Sequence, residues 1–374
     1  MQLTIERTSK MKKIMVAFGT RPEAIKLAPL IIALKREKRF SCFVCHSGQH
    51  RSLCDDVLNF FGISEDVNLK ICDKGSSVSD MTANALSGYT EAIKSLECDA
   101  VIVHGDTTTA FACALSAFYL KVPIIHIEAG LRSFDLSSPF PEEWNRIAID
   151  TLCDYCFAPT KSAKENLIDM GKREKSVFCV GNTVTDALRY TVREGYSNAF
   201  LRTGKKLILF TCHRRESVGQ AMVDMCRALI RVTEEFPDTY ALCPMHPNPL
   251  VRSIIVPLLS GRENIILSEP LPLFDFHNLL SRSHLVMSDS GGVQEEASTL
   301  GIPMLIMRDK TERTEGCEKG IIRLVGTDTD TLYEQAKKIL GDEREYEKMK
   351  KSAYSYGDGK VSARICDILK NTLT

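Results

Sequence analysis

The sequence predicts an α/β fold made of two doubly wound, Rossmann-like domains that face each other across a cleft. Short apolar runs alternate with longer stretches of helical periodicity along all 374 residues. The apolar runs are nearly continuous, which is typical of parallel strands covered by helices on both faces. The chain is also too long for a typical single core, so its length favours two domains.

The candidate strands form two consecutive series. The first comprises 14–18, 42–46, 100–104, 123–127, 155–159 and 177–180, and the second comprises 207–211, 240–244, 264–268, 285–288, 303–307 and 322–325. The stretch between them is polar and loop-like. We therefore predict an N-terminal extension (1–12), a first domain (13–192), a linker (193–206), a second domain (207–355) and a C-terminal helix (356–374) that packs back on the first domain.

Overall charge excludes several classes of partner. Lys+Arg and Asp+Glu both number 48, so the protein as a whole offers no field that attracts nucleic acid or a membrane surface. No apolar run approaches the roughly 20 residues of a membrane-spanning helix. The N-terminus is polar and mixed in charge, unlike a signal peptide. We expect a cytoplasmic protein that holds anionic ligands through local groups.

The 14 cysteines raise the question of disulfides, metals or haem. A long chain without an export signal keeps its thiols reduced. The segment from Cys42 to His46 is spelled like a haem attachment motif, but it reads as a buried strand, where residues three apart point to opposite faces. Cys153 and Cys156 likewise span a helix end and a strand start. We predict no metal and no cofactor, with the thiols acting as small core hydrophobes.

Polar side chains follow most of the candidate strands. Ligands of doubly wound folds bind at the carboxyl ends of the strands. The segments at those ends are GTRPEAIK, GDTTT and EAGLR in the first series, and CHRRES, MHPNP, DSGGVQEE and RDKTER in the second. Nearly all carry charge, a hydroxyl group or histidine, which indicates a functional site.

The segment around Ser290, Gly291 and Gly292 joins a strand to a helix. Glycines allow close approach of the backbone to a ligand, and a helix N-terminus offers free N–H groups to phosphate oxygens. Glu296, one turn further on, suits a ribose diol. A helix start with a simple serine or aspartate cap is the alternative. Arg313 and His213 follow other strands, and neither a GxGxxG nor a P-loop motif is present. A nucleotide diphosphate held by these groups is the remaining interpretation.

GTRPEAIK begins with a capping box, Thr20 to Glu23, with Pro22 in the first turn. These residues are explained by helix initiation alone. Arg21 and Lys26 are not, because a cation near a helix N-terminus opposes the dipole. An anion in that place would account for them, and chance placement is the alternative.

Three acids of the first series, Asp106, Glu128 and Glu142, are candidates for proton transfer. Asp106 could instead cap the following helix, and Glu142 could form a surface pair with Arg146 four residues later. Glu128 has no comparable structural explanation, since Gly130 and not a helix follows it. Three acids beside a diphosphate site favour general acid/base chemistry on a sugar nucleotide.

Taken together, the motifs resemble those of the non-hydrolysing UDP-N-acetylglucosamine 2-epimerases. The resemblance runs from about Met11 to the C-terminus and rests on FGTRPEAIK, VHGDTTT, HIEAGLRS, SPFPEEWNR, GNTVTDAL, HRRES, HPNP, SDSGGVQEEA, MRDKTER and YGDG. It implies a fold of the GT-B type, a homodimer, and interconversion of UDP-GlcNAc and UDP-ManNAc for surface polysaccharide synthesis. The implied route is elimination of UDP to 2-acetamidoglucal followed by re-addition.

The resemblance also implies roles for individual residues. The implied catalytic residues are Asp106, Glu128, Glu142 and His213, and the implied active-site cations are Arg21, Lys26 and Arg146. The implied UDP contacts are Ser290, Gly291, Glu296 and Arg313, with Phe276 near the uracil. Two related activities share the fold and stay open at this point: a hydrolysing epimerase, which releases ManNAc and UDP, and a glycosyltransferase of the GT-B type.

Overall fold

The computed structural model describes residues 11–49, 51–71, 77–354 and 356–373. The chain divides into two compact units. The first unit runs to Ala187 and takes up the chain again from Gly357, and the second unit is Leu188–Tyr356. Most of the N-terminal extension predicted at 1–12 lies outside the described residues.

The first unit is built around a parallel sheet of seven strands. The strands are β1 (Lys12–Phe18), β2 (Phe40–His46), β3 (Val67–Asn68), β4 (Ala100–His104), β5 (Ile124–Ile127), β6 (Tyr155–Ala158) and β7 (Val177–Cys179). The helices are α1 (Arg21–Arg36), α2 (Arg51–Phe61), α3 (Val78–Leu96), α4 (Thr108–Leu120), α5 (Glu142–Leu152), α6 (Lys161–Asp169) and α7 (Val184–Thr191). The strand order is β3-β2-β1-β4-β5-β6-β7.

The second unit repeats this plan with six strands. They are β8 (Lys206–Thr211), β9 (Thr239–Pro244), β10 (Ile265–Ser268), β11 (Leu285–Ser288), β12 (Met304–Ile306) and β13 (Ile322–Leu324), in the order β10-β9-β8-β11-β12-β13. The helices are α8 (Gln220–Glu235), α9 (Pro249–Leu259), α10 (Leu273–Leu280), α11 (Gly291–Leu300), α12 (Glu315–Lys319), α13 (Thr329–Gly341) and α14 (Glu343–Lys351). Across the described ranges, no helix combines the length and the apolar character needed to cross a bilayer.

Both sheets confirm the predicted fold class. In each, the strand order reverses beside the first strand, between β1 and β4 in one unit and between β8 and β11 in the other. Such a reversal opens a crevice at the carboxyl ends of the two strands, where ligands of doubly wound folds bind. The strands are covered on both faces, as β4 illustrates, since all five of its residues are buried. The short strand β3 was not predicted, because two residues carry no periodic signal.

The C-terminal helix α15 (Val361–Thr372) belongs to the first unit. It lies against α1, where Lys370 Nζ is 3.0 Å from a Glu37 carboxylate oxygen. Asp186 fixes its start, because its carboxylate accepts the backbone N–H groups of Val361 (3.0 Å) and Ser362 (2.6 Å). A single carboxylate thus anchors the returning helix.

The polar stretch 193–206 is packed on the second unit. The Tyr196 hydroxyl donates to Asp275 at 2.6 Å, and the Arg202 N–H donates to the Tyr240 hydroxyl at 3.1 Å. The chain passes from the first unit to the second at Ala187–Leu188, inside α7 and ahead of the stretch in which the sequence places a linker. Polarity alone does not distinguish a linker from a surface segment held by hydrogen bonds.

Gly130, in the loop after β5, offers a stability test with an internal control. A Cβ on Gly130 (φ 86°) would lie 2.1 Å from the Ala163 carbonyl oxygen, whereas one on Gly171 (φ 87°) would meet nothing within 4 Å. Alanine at either site carries the left-handed cost of about 1–2 kcal/mol. Only Gly130→Ala also forces the backbone apart, so we expect it to lose about 1–3 kcal/mol more unfolding free energy than Gly171→Ala. Urea unfolding measures both, and equal losses would refute the steric argument.

Candidate active site

In the first unit, two predicted acids follow neighbouring strands. Asp106 lies two residues after β4, and Glu128 comes directly after β5, which pairs with β4 in parallel. A Cβ on Gly105, next to Asp106, would lie 3.9 Å from Glu128 Oε1. The parallel pairing of β4 and β5 therefore brings both acids to the same edge of the sheet, near the point where the strand order reverses between β1 and β4.

Glu128 is held in place by residues from distant parts of the chain. It is 5% exposed, and its backbone is left-handed (φ 63°). Such a conformation costs a non-glycine residue roughly 1–2 kcal/mol and is typical of functional sites. Its Oε2 accepts hydrogen bonds from Lys26 Nζ and from Asn182 Nδ2, the latter at 2.6 Å. The structure therefore makes Lys26 a partner of Glu128, and it adds Asn182, which the sequence reasoning did not single out.

His104, the last residue of β4, was also missed. Its Nε2 lies 3.6 Å from Glu128 Oε2 and makes no hydrogen bond within the described residues. Burial lowers the pKa of His104 to about 4, with the Glu128 charge acting in the opposite direction. The ring is therefore neutral near pH 7. Its position in the VHGDTTT segment is the sequence signal that could have identified His104 as a site residue.

Asp106 is not a helix cap. The N-cap of α4 is Thr107, whose hydroxyl accepts the Ala110 N–H at 3.0 Å, so the capping alternative is wrong. The Asp106 carboxylate instead forms an ion pair with Arg146. Arg146 is fully buried and also contacts Glu143 at 2.7 Å. Because 23% of the Asp106 side chain is exposed, this carboxylate keeps access to a ligand.

Glu142 and Glu143 begin α5 and differ in environment. Glu143 is fully buried, and its carboxylate accepts the N–H groups of Ser133 (3.0 Å) and Phe134 (3.1 Å) as well as Arg146. Glu142 is half-buried at the first helical position. Glu143 therefore anchors the preceding loop, and Glu142 is the glutamate whose side chain retains exposure. Adjacent identical residues gave no signal by which sequence could assign these roles.

A buried network ties the two acid-bearing strand ends together. His126 Nε2 donates to the Gly105 carbonyl at 2.7 Å, and its Nδ1 lies 2.6 Å from Asp150 Oδ1. Asp150 also accepts from the Gly130 N–H (3.1 Å) and Arg132 Nη2 (2.6 Å). Burial alone would raise the pKa of Asp150, but His126 and Arg132 together lower it below its usual value. The network orients the segments that carry Asp106 and Glu128.

One part of this network also has metal-ligand residue types. Atoms of His126, Asp150 and Cys153 lie within 4.8 Å of one another. Both imidazole nitrogens and both carboxylate oxygens already make hydrogen bonds with the protein, however. Cys153 Sγ lies 3.0 Å from Cys156 Sγ, in the core of the unit. The cluster therefore fits an internal scaffold better than a metal site.

Arg21, the first residue of α1, has a partner of its own. Its Nη2 lies 3.8 Å from Asp56 Oδ2 on α2. The carboxylate of Asp56 offsets a cation that would otherwise oppose the α1 dipole. The position of Arg21 therefore does not by itself require an anionic ligand.

In the second unit, the reversal between β8 and β11 brings His213 beside Asp289. Asp289 is fully buried and accepts the backbone N–H groups of His213 (3.0 Å) and Arg214 (2.9 Å). His213 Nδ1 lies 3.4 Å from Asp289 Oδ1, and its ring stacks on His246 at 5.4 Å between centroids. Asp289 therefore orients the His213 imidazole, and the His213 side chain remains 37% exposed. Asp289 was another residue that sequence reasoning left unassigned.

The N-terminus of α11 is a candidate anion pocket, defined by Ser290, Gly291, Arg214 and Arg313. Ser290 is the N-cap residue, and Gly291 follows it. A Cβ on Gly291 would lie 2.8 Å from Arg313 Nη1 and 3.4 Å from Arg214 Nη2, so two guanidinium groups lie over the first turn. Free N–H groups, the helix dipole and these cations together suit phosphate oxygens. A Cβ on Gly292 would meet no described atom within 4 Å, so none of the described contacts requires a glycine there.

Acidic residues hold the arginines of this pocket. Arg313 Nε donates to Glu295 Oε1 at 2.7 Å, and Arg313 Nη1 also pairs with Glu312. Arg308 is buried beside them, 3.4 Å from Glu312. Burial lowers the pKa of Arg308, and the charge of Arg214 adds to that effect. Arg308 and the two glutamates were not predicted, although RDKTER marked the segment.

Glu296 and Phe276 lie on α11 and α10. Glu296 is 7% exposed, and its Oε1 lies 3.4 Å from His277 Nε2. Phe276 precedes His277 and packs partly buried against the core of the second unit. The predicted nucleoside contacts Glu296 and Phe276 thus lie on α11 and α10, and the contact between His277 and Glu296 connects these two helices.

Comparison with known proteins places these features in context. A family model described as UDP-N-acetylglucosamine 2-epimerase matches residues 32–370. A UDP-N-acetylglucosamine 2-epimerase of Bacillus subtilis is 46% identical over 96% of this chain and 95% of its own length. The Staphylococcus aureus MnaA–UDP co-structure has a TM-score of 0.93 and 43% identity, covering 97% of each chain. The UDP-GlcNAc 2-epimerase of Neisseria meningitidis bound to UDP-GlcNAc has a TM-score of 0.91 and 39% identity, covering 96% of this chain and all of that one.

Proposed function

Because the chain belongs to the UDP-N-acetylglucosamine 2-epimerase family, we propose that it is an isomerase that interconverts UDP-GlcNAc and UDP-ManNAc without hydrolysis. The observation that carries the proposal is the pair of acids, Asp106 and Glu128, held at adjacent strand ends and each paired with a buried cation. Homodimer assembly and supply of UDP-ManNAc for surface polysaccharide synthesis are further parts of the proposal.

The chemistry explains why more than one acid is needed. The C2 hydrogen is adjacent to no carbonyl group, so direct deprotonation is unfavourable. When the C1–O bond breaks, UDP leaves with the bonding electrons, a carboxylate takes the C2 proton, and a C1–C2 double bond forms. The products are 2-acetamidoglucal and UDP. In return, a UDP oxygen adds to C1 while a proton is delivered to the opposite face of C2, which inverts that centre without net oxidation.

The first unit offers the proton-transfer groups for this route. Asp106, Glu128 and Glu142 are the acids of the proposal, with the order of their roles left open. Arg146 pairs with Asp106 and Lys26 with Glu128, and the His126 network holds the two strand ends in place relative to each other. A positioned acid or base typically contributes about a hundredfold to ten-thousandfold in rate.

The second unit offers the groups that bind the leaving group. Ser290, Gly291, Arg214 and Arg313 surround the start of α11, where a diphosphate would accept N–H and guanidinium donors. Holding UDP after the C1–O bond breaks stabilises developing charge and keeps UDP available for re-addition. His213, oriented by Asp289, is the proposed histidine of this half of the reaction.

Turnover in deuterated water tests the route. We expect deuterium at C2 of both UDP-GlcNAc and UDP-ManNAc, because the proton passes through carboxyl groups that exchange with solvent. Proton NMR of the recovered sugar nucleotides measures it. Epimerisation that leaves protium at C2 would exclude elimination.

The same spectra distinguish the related activities. Free ManNAc accumulating with UDP would identify hydrolysis in place of re-addition. Transfer of the sugar to an added acceptor, without C2 exchange, would identify a glycosyltransferase. Neither outcome is compatible with the proposed isomerase.

A further inference from the structure

A buried chain of three side chains joins Glu296 to the helix that enters the second unit. Thr191, the last residue of α7, places its Oγ1 2.7 Å from His277 Nδ1. His277 is fully buried, and its Nε2 lies 3.4 Å from Glu296 Oε1. Asn278 holds Thr191 in place by donating to its carbonyl at 2.8 Å.

The geometry indicates which tautomer His277 adopts. The Thr191 hydroxyl has one proton, and its described contacts include His277 Nδ1 at 2.7 Å and the Leu188 carbonyl at 3.3 Å. The shorter contact favours donation to Nδ1, which places the imidazole hydrogen on Nε2. The opposite tautomer would direct the Nε2 lone pair at the Glu296 carboxylate, which is repulsive.

Among the side chains of Thr191, His277 and Glu296, two buried polar atoms lack hydrogen bonds to the described residues. They are His277 Nε2, which lies beyond good hydrogen-bond geometry from Glu296, and Glu296 Oε2. An unsatisfied buried polar atom costs about 1–3 kcal/mol. Glu296 Oε2, at the predicted diol contact, is therefore the atom that a ligand hydroxyl group would satisfy, and the Nε2–H of His277 points to the other oxygen of the same carboxylate, 3.4 Å away.

We propose that His277 is a positioning residue: Thr191 sets its tautomer, and its Nε2–H orients the Glu296 carboxylate to accept both hydroxyl groups of a ribose diol. This inference rests on the proposed function, because the diol is taken to be the ribose of UDP. To accept both ribose hydroxyl groups, the Glu296 carboxylate must turn one oxygen towards each of them. A hydrogen bond from the His277 Nε2–H to Glu296 Oε1 would fix that orientation by preventing rotation of the carboxylate. His277 thereby acts on nucleotide recognition without touching the nucleotide.

Titration calorimetry with UDP and 2′-deoxy-UDP tests the proposal on the full chain. We expect the unmodified protein to prefer UDP by about tenfold or more, since a hydrogen bond to a charged group is lost with the 2′-hydroxyl. His277→Asn puts its amide near the Nδ1 position, keeps the Thr191 contact and removes the donor to Glu296. We expect it to lose most of the preference while binding 2′-deoxy-UDP as before. His277→Gln reaches the Nε2 position and should restore the preference.

Thr191 supplies a second, independent variant. Thr191→Val removes the hydroxyl group with little change in volume and should also reduce the UDP preference, whereas Thr191→Ser should retain it. A merely structural role would weaken both ligands equally, and an unchanged preference in His277→Asn or Thr191→Val would overturn the proposal. An unmodified protein that binds both ligands equally would overturn it too, yet leave the epimerase proposal standing. Failure to bind UDP at all would defeat both.

Discussion

Replacing Glu128 with glutamine should lower epimerase turnover by about a hundredfold to ten-thousandfold and leave UDP affinity nearly unchanged. Glutamine matches glutamate in size but cannot take or deliver the C2 proton. The proposed diphosphate and ribose contacts all lie in the second unit, so they persist in this variant. The measurements are steady-state kinetics and UDP titration, and the expected signature is a loss in kcat at constant UDP Kd.

Glu91→Gln is the matched control, since it makes the same change at an exposed position of α3 in the same unit. Its turnover should equal that of the unmodified protein. Asp106→Asn and Glu142→Gln extend the test to the other two acids, with the same direction expected. Near-normal turnover in any one of the three would remove that residue from the proton-transfer set.

Arg146→Met should destabilise the first unit by about 3–5 kcal/mol, because it leaves buried carboxylate charge without its partner. Arg146 is fully buried between Asp106 and Glu143, and Glu143 has no exposed side-chain surface. Methionine keeps the helix propensity and much of the volume, so the lost charge dominates. The single tryptophan of the chain, Trp144, lies two residues away on α5, and its fluorescence in urea reports the unfolding of this unit.

Lys164→Met tests whether any ion pair would give the same result. Lys164 pairs with Glu174 at 3.3 Å in the same unit, but 33% of the Lys164 side chain and 81% of the Glu174 side chain are exposed. Exposed pairs contribute about 0–1 kcal/mol. A loss in Arg146→Met no larger than in Lys164→Met would show that the buried network is not important for stability.

The fold was predictable because its signal is local. Residues such as those of β4 form a continuous apolar run that reads as a strand without knowledge of its neighbours. A turn segment with charge or hydroxyl groups then marks the end of that strand. The sequence predicts twelve of the strands that the described residues form, and the remaining one, β3, has only two residues.

The candidate residues of the site were predictable for the same reason, but their partners were not. Lys26 and Glu128 are 102 positions apart in sequence and share one ion pair. The sequence predicted that Arg21 contacts an anionic ligand, whereas in the structure its guanidinium group lies beside Asp56. Helix capping was the alternative to a catalytic role for Asp106, and the structure excludes it because Thr107 is the N-cap residue.

By itself, the sequence determined which chemical groups stand at the strand ends, since strand periodicity and the segments after each strand are properties of short stretches. Tertiary structure alone decided which of those groups are buried, paired or available to a ligand. Glu143 is buried because its carboxylate accepts backbone N–H groups of the loop before α5, whereas Glu142 remains half-buried. Burial and pairing set the protonation and orientation of a carboxylate, and both depend on residues brought together from distant parts of the chain.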